Sequence, residues 1–332
     1  MAEPLTEALT ALEQANRRQA SAELQQQILD LRIRAGRDRP AQPPAPPTAP
    51  GVNRTAQDRG AIPEIPRREL GAQRLCDAIH GSGAAIVRGL IDSEQAGQLR
   101  TLIDRVVAAR EHPESAPPRE EDAAWYLRSK EVSGAPARFF ANPDEPVSAS
   151  SSIWAADSPR VACELLELYA ALGLPALLAE YFGEPARLSV KKWVLRKVAP
   201  DNAAQAGWHQ DGRFLGETIQ TVNMWLALSD CGGAAPAPGL DLVLDGRREI
   251  YPTGTAGAIF DWTVGPELVA KVAADCGGVV QPRFAAGDAL FFDHYNLHRT
   301  AFAPHHTAVR YAIESWFFAA STAPLKQQPI LL

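Results

Sequence analysis

Between residues 188 and 318 the chain breaks into short β-prone runs separated by Gly, Pro and Asp, and this pattern restricts the fold more than any other feature. The runs lie at 188–199, 206–211, 220–229, 241–244, 257–262, 288–293 and 308–318. Several short strands with turn signals between them predict a sandwich or barrel. A short helix is expected at 266–274, inside the Gly-rich stretch 232–287. Upstream, Ala84–Leu90 reads as a strand. Ser93 reads as the N-cap of a helix to about residue 111, with Leu99, Leu102, Ile103 and Val106 on one face. Helical spacing resumes over 158–182, broken at Gly173 and ended at Gly183.

Three segments follow from composition. Residues 1–38 carry Leu5, Leu9 and Leu12, then Leu24, Ile28 and Leu31, at helical spacing. They read as a helical appendage that can pack on the main domain or pair with a second copy as a homo-oligomer. Residues 39–62 form a Pro-rich linker. Residues 63–332 form the main domain.

With 46% hydrophobic and 22% charged residues, the chain can bury a core without cross-links. A net charge of −6, with basic residues scattered, argues against nucleic acid or an anionic membrane as partner. No apolar run reaches the roughly 18 residues of a membrane span, and the N-terminus lacks the features of a signal peptide. Cys76, Cys163, Cys231 and Cys276 are far apart and form no CxxC, which fits reduced thiols in a cytoplasmic protein.

The chemistry gathers at two places. In Trp208-His209-Gln210-Asp211, a strand would point His209 and Asp211 to one face. An imidazole and a carboxylate side by side supply two of the three ligands of a 2-His-1-carboxylate triad. That triad suits Fe(II) and leaves room for a bidentate 2-oxo acid and dioxygen. Gly287-Asp288 then opens an apolar strand that ends in histidines. His298, 87 residues after Asp211, is the candidate third ligand, and His294 is its rival on the same strand face. Arg310 follows His298 by twelve residues, with Pro304 midway. A hairpin there would set residues 298 and 310 opposite each other. Arg310 can then fork onto the distal carboxylate of a dicarboxylate, or it is tied up in an ion pair with Glu314.

These residues, together with Thr221–Leu228 and the stretch Gly287–Thr300, resemble the phytanoyl-CoA dioxygenase family of Fe(II)/2-oxoglutarate-dependent oxygenases over roughly residues 68–320. The resemblance implies a mainly β domain with flanking helices, built on a double-stranded β-helix or jelly roll. It implies that His209, Asp211 and His298 bind iron. It implies that Arg310 and Thr300 bind 2-oxoglutarate, with Trp225 or Asn223 lining that pocket. The expected activity is hydroxylation of a small-molecule substrate with dioxygen. The resemblance further implies that Asp211, by keeping the carboxylate, favours hydroxylation over halogenation, while desaturation, epoxidation and ring closure stay open. Candidate substrate contacts are Arg213 and Phe214 beside the ligand pair, Lys192 and Trp193 on an earlier strand, and Arg138 in a long polar loop with Trp125, Tyr126 and Phe139. A jelly-roll binding protein without catalysis, or an iron oxygenase that does not use 2-oxoglutarate, are the competing readings.

Overall fold

The computed structural model describes residues 3–38, 60–111, 125–126, 151–200 and 207–332. The Pro-rich linker up to residue 59 and the loop carrying Arg138 and Phe139 lie outside the described residues.

The N-terminal leucine pattern folds as two helices, α1 (Glu3–Arg18) and α2 (Ala22–Gly36). Ser21 caps α2 by accepting from the Leu24 amide. After strand β1 (Glu64–Pro66) come α3 (Ala72–Ser82), β2 (Ala84–Arg88) and α4 (Ser93–Glu111). The cap of α4 is Asp92 rather than Ser93. The Asp92 carboxylate accepts from the Gln95 amide and the Gln95 side chain accepts from the Asp92 amide, a reciprocal capping box. Strand β3 (Ser152–Trp154) leads into α5 (Pro159–Ala171) and α6 (Leu174–Phe182), which break at Gly173 and stop at Gly183, both at positive φ. Among the described residues no single helix is long and apolar enough to cross a membrane. The bent pair α5–α6 has the length and composition only jointly, and its Leu165, Tyr169, Leu174, Leu178 and Phe182 are buried in the core.

The remaining strands are β4 (Ala186–Val198), β5 (Thr221–Ala227), β6 (Leu240–Val243), β7 (Val279–Val280), β8 (Ala289–Phe292), β9 (Leu297–Thr300), β10 (Arg310–Ala319) and β11 (Pro329–Leu331). They build a large sheet ordered β1-β2-β8-β5-β10-β4-β11, with β3 also on β4, and a small sheet ordered β7-β6-β9. Every pairing except β1 with β2 is antiparallel. Residues 257–262, expected as a strand, form turns stabilised by Thr263, whose hydroxyl both accepts from the Phe260 amide and donates to its carbonyl.

Strand alternation divides the apolar residues into two cores. On the face of the large sheet turned to the small sheet, Trp225, Leu290, Phe292, Ala312, Trp316 and Phe318 pack with Leu240 and Leu242. On the opposite face Met224, Leu226, Phe291, Ile313 and Phe317 pack against α3 to α6. A bulge in β4 reconciles both. Ser315 of β10 opposes Trp193 but Phe317 opposes Leu188, so β4 carries three extra residues there. The Ser189 hydroxyl accepts from the Lys192 amide and closes the bulge. Leu188 and Trp193 thereby share the helix-facing side despite odd spacing, and Lys192 turns into the barrel.

The two N-terminal helices lie on β11 and α5. Ile28 and Leu29 are buried, Arg32 donates to the Leu331 carbonyl over 2.9 Å, and Gly36 sits against Pro329 closely enough that a Cβ would meet its carbonyl oxygen at 2.1 Å. All four cysteines are buried thiols.

Candidate metal centre

His209, Asp211 and His298 come together, each offering one ligand atom within 4.8 Å of the others. Strand alternation is not what aligns the first two. His209 forms a single bridge to His298, with both amides donating to the opposite carbonyl over 3.0 Å. Asp211 already has helical dihedrals and starts the short helix α7 (Gly212–Leu215). Between them, Gln210 points the other way and locks the segment. Its amide donates to the Glu249 and Tyr295 carbonyls, and its side-chain oxygen accepts from the Tyr251 amide. Gly212 completes the turn where a Cβ would lie 2.4 Å from Ile250 Cδ1 and 3.1 Å from the His294 carbonyl oxygen.

The hydrogen bonds also set the ligand atoms. His209 Nδ1 lies 2.9 Å from the Gly207 carbonyl and His298 Nδ1 lies 3.1 Å from the Asn296 carbonyl. A carbonyl only accepts, so both Nδ1 atoms carry the proton and both Nε2 lone pairs face the cluster. Burial, then the neighbouring His298, pushes the His209 pKa down to about 4, so its imidazole is neutral. Burial alone would raise the Asp211 carboxyl, but Lys192, His298 and His209 outweigh it and hold it below its ordinary value. The two carboxylate oxygens are divided: Oδ1 accepts from Lys192 Nζ at 2.7 Å, and Oδ2 lies 3.7 Å from His298 Nε2. A buried carboxylate and two imidazoles with Nε2 turned inward form a donor set that fits Fe(II). His294 stays out of the cluster, with Nε2 near the Glu217 carbonyl.

The hairpin expected between residues 298 and 310 does not form. β9 pairs with β6 in the small sheet, whereas β10 lies between β4 and β5 in the large one. Residues 298 and 310 are thus on facing sheets. Arg310 is 2% exposed, lies over the Trp225 ring at 5.4 Å and donates to the Gly239 carbonyl over 3.0 Å. Its Nε has no hydrogen-bond partner among the described residues, and neither has the buried Asn223 Oδ1 on the same sheet face. Burial pulls the Arg310 pKa down to about 10, which still leaves it charged at neutral pH. Glu314 is not its partner. Arg196 Nη2 and Nε and Trp316 Nε1 all donate to that carboxylate. Thr300 follows His298 by two residues on β9 and so shares its face.

The substrate candidates separate. Phe214 stacks on His209 at 25° and 6.4 Å, with Lys192 Nζ 4.4 Å from its ring centroid. Arg213 is exposed and donates to Thr253. Trp193 is a correction: the bulge turns it out of the barrel, where its Nε1 donates to Tyr169 and the ring is fully buried. Trp125 packs with Arg105 and Arg160 on the helical side, away from the cluster.

Structural comparison places this architecture among known folds. EctD from S. alaskensis, solved with 2-oxoglutarate and 5-hydroxyectoine, superposes with a TM-score of 0.53 at 15% identity, covering 86% of this chain and 85% of that one. The chain shares its fold. The apo form of EctD gives 0.51 at 16% identity over 86% of each chain. AviO1 from Streptomyces viridochromogenes Tue57 gives 0.49 at 18% identity, covering 77% and 98%. No family model and no curated protein sequence matches the chain. The jelly-roll core with flanking helices is therefore the observed fold.

Sequence reasoning missed Trp262, whose ring meets His209 edge-on at 5.5 Å, and Phe292, at 4.7 Å from His298. Phe292 was legible as the inward member of an apolar strand. Trp262 lies in the run 257–262, which reads as a strand but folds as turns, so the sequence pattern did not aim it at the cluster.

Proposed function

We propose that this chain is an Fe(II)- and 2-oxoglutarate-dependent oxygenase that hydroxylates an unactivated C–H bond of a small molecule, with release of succinate and CO2. One observation carries the reading: two imidazole Nε2 atoms, tautomerically fixed by backbone carbonyls, converge with one oxygen of an ionised, buried carboxylate inside a jelly roll. His209, Asp211 and His298 would hold the metal and leave its remaining positions open. Iron(II) bound there supplies the activation of dioxygen.

The residues of this chain bind, orient and exclude water. Arg310, charged and with an unpartnered Nε, would receive the distal carboxylate of 2-oxoglutarate, with Trp225 beneath the guanidinium and Asn223 and Thr300 nearby as polar wall. The division of the Asp211 oxygens between Lys192 and the cluster favours ligation through Oδ2 alone. Phe292, Trp316 and Trp225 keep the barrel interior dry. The motif pattern resembles the phytanoyl-CoA dioxygenase family, and the buried thiols fit a cytoplasmic setting.

The test is the visible charge-transfer band of anaerobic protein with Fe(II) and 2-oxoglutarate. A band in the wild type that is lost in His298→Ala supports the reading. No band, with iron shown to be bound, sinks the 2-oxoglutarate assignment and favours an oxygenase using another reductant. Protein that binds neither iron nor 2-oxoglutarate would favour the reading as a non-catalytic jelly-roll binding protein.

A further inference from the structure

Of the three ligand candidates only His209 is partly open to solvent, whereas Asp211 and His298 are buried, so the approach to the centre runs past His209. That approach is walled by aromatic rings. The Phe214 ring stacks on His209, 25° from parallel, with centroids 6.4 Å apart. Trp262 stands nearly at right angles to both, at 79° to His209 and 77° to Phe214. Phe260 lies parallel to Trp262, stacked on it at 5.3 Å and 4°.

Phe260 is 44% exposed and its neighbour Ile259 57%. Exposed apolar residues grouped at a site mouth have a use beyond folding. The wall is also rigid. Thr263 is bonded to Phe260 in both directions, the Gly254 amide donates to the Thr263 carbonyl over 2.8 Å, and the Val264 amide donates to the Trp208 carbonyl over 2.8 Å, which ties the turn to the ligand segment. The backbone that carries Trp262 and Phe260 is therefore braced before anything binds.

We propose that the substrate of this centre carries a flat aromatic or polycyclic ring system, seated in the right-angled corner formed by Phe214 and Trp262 with Phe260 as its outer edge. The proposal rests on the oxygenase reading only for what happens to the substrate, not for its binding. Two perpendicular walls select a planar body, because a ring laid in offset stack on one wall presents its edge to the other, the two arrangements that aromatic quadrupoles favour. A flexible chain gains neither and loses more conformational freedom on binding.

The test uses full-length protein with 2-naphthol as the flat probe and 1-decanol as the flexible one, followed by calorimetry. 2-Naphthol is expected to bind, with affinity falling about tenfold in Trp262→Ala and about threefold in Phe260→Ala. Val279→Ala, which truncates another exposed apolar residue, should change nothing. Phe260 is solvent-exposed, so its variant stays folded even if Trp262→Ala does not; Trp262→Phe should restore most of the affinity. Metal-free and iron-loaded wild type should bind 2-naphthol alike, so a failed iron assignment and a failed wall are told apart. No binding of 2-naphthol, binding indifferent to both aromatic variants, or equal binding of 1-decanol would overturn the proposal.

Discussion

Lys192 Nζ donates to Asp211 Oδ1 over 2.7 Å, and both side chains are nearly fully buried. Removing one member of such a pair leaves the other charge without compensation, at a cost of about 3–5 kcal/mol. Lys192→Met should therefore destabilise the metal-free protein by about that amount. A bound divalent metal gives Asp211 a new partner, so added Fe(II) under anaerobic conditions should stabilise the variant more than the wild type. Urea titrations with and without metal measure both quantities. Equal stabilisation of the two proteins by metal would show that Lys192 does not act on Asp211.

Gly212→Ala places a methyl group against Ile250 and the His294 carbonyl at the residue after Asp211. The backbone there is held by the Gly212 amide donating to the His294 carbonyl. Overpacking of this kind costs about 1–3 kcal/mol. The variant should lose stability and bind metal more weakly, because the displaced turn carries the carboxylate. Unchanged metal affinity would mean that α7 does not position Asp211.

The cluster takes in His298 and leaves out His294, four residues earlier. His294→Gln should keep metal binding, since His294 lies outside the cluster, while His298→Ala should lose it. Metal affinity of the two variants side by side checks this. The reverse outcome would move the third ligand to His294.

Asp293 is buried beside Arg248, and burial raises its pKa to about 6 despite that guanidinium. The folded state therefore holds this proton more tightly than the unfolded chain, whose value is near 3.8. Its contribution to stability is full below the unfolded pKa and is lost as pH rises through about 6. The slope reaches at most about 1.4 kcal/mol per pH unit. In Asp293→Asn that slope disappears, so stability curves of variant and wild type should diverge between pH 4 and 6. Parallel curves would contradict the assignment.

The α1–α2 pair is packed on β11 and α5 through Ile28 and Leu29. Leu29→Ala should lower the stability of the whole unit by about 3 kcal/mol. Unfolding should remain a single transition, which fluorescence and circular dichroism can test by their coincidence. Independent melting of the helices would separate them from the domain.

Much of this was legible in the residues themselves. Short β-prone runs bounded by Gly, Pro and Asp marked β5, β8 and β10, and Gly173 and Gly183 marked helix ends, because local propensity and turn chemistry act over a few residues. The types and order of His209, Asp211 and His298 pointed to a metal cluster, and the fold brings their ligand atoms within 4.8 Å of one another; Arg310, read as an anion contact, is a buried residue on the facing sheet. Long-range relations were decided only in the folded chain. Whether residues 298 and 310 pair as a hairpin or face each other across two sheets depends on which partners β9 and β10 find, and both were compatible with the same local pattern. The bulge in β4 reversed the faces of Lys192 and Trp193, sending one to Asp211 and the other to Tyr169, since an inserted residue inverts every alternation beyond it. Trp262 reached His209 from a turn whose shape is set by Thr263 and Trp208. Sequence determined the chemical parts; sheet partnership, register and close approach determined which of them meet.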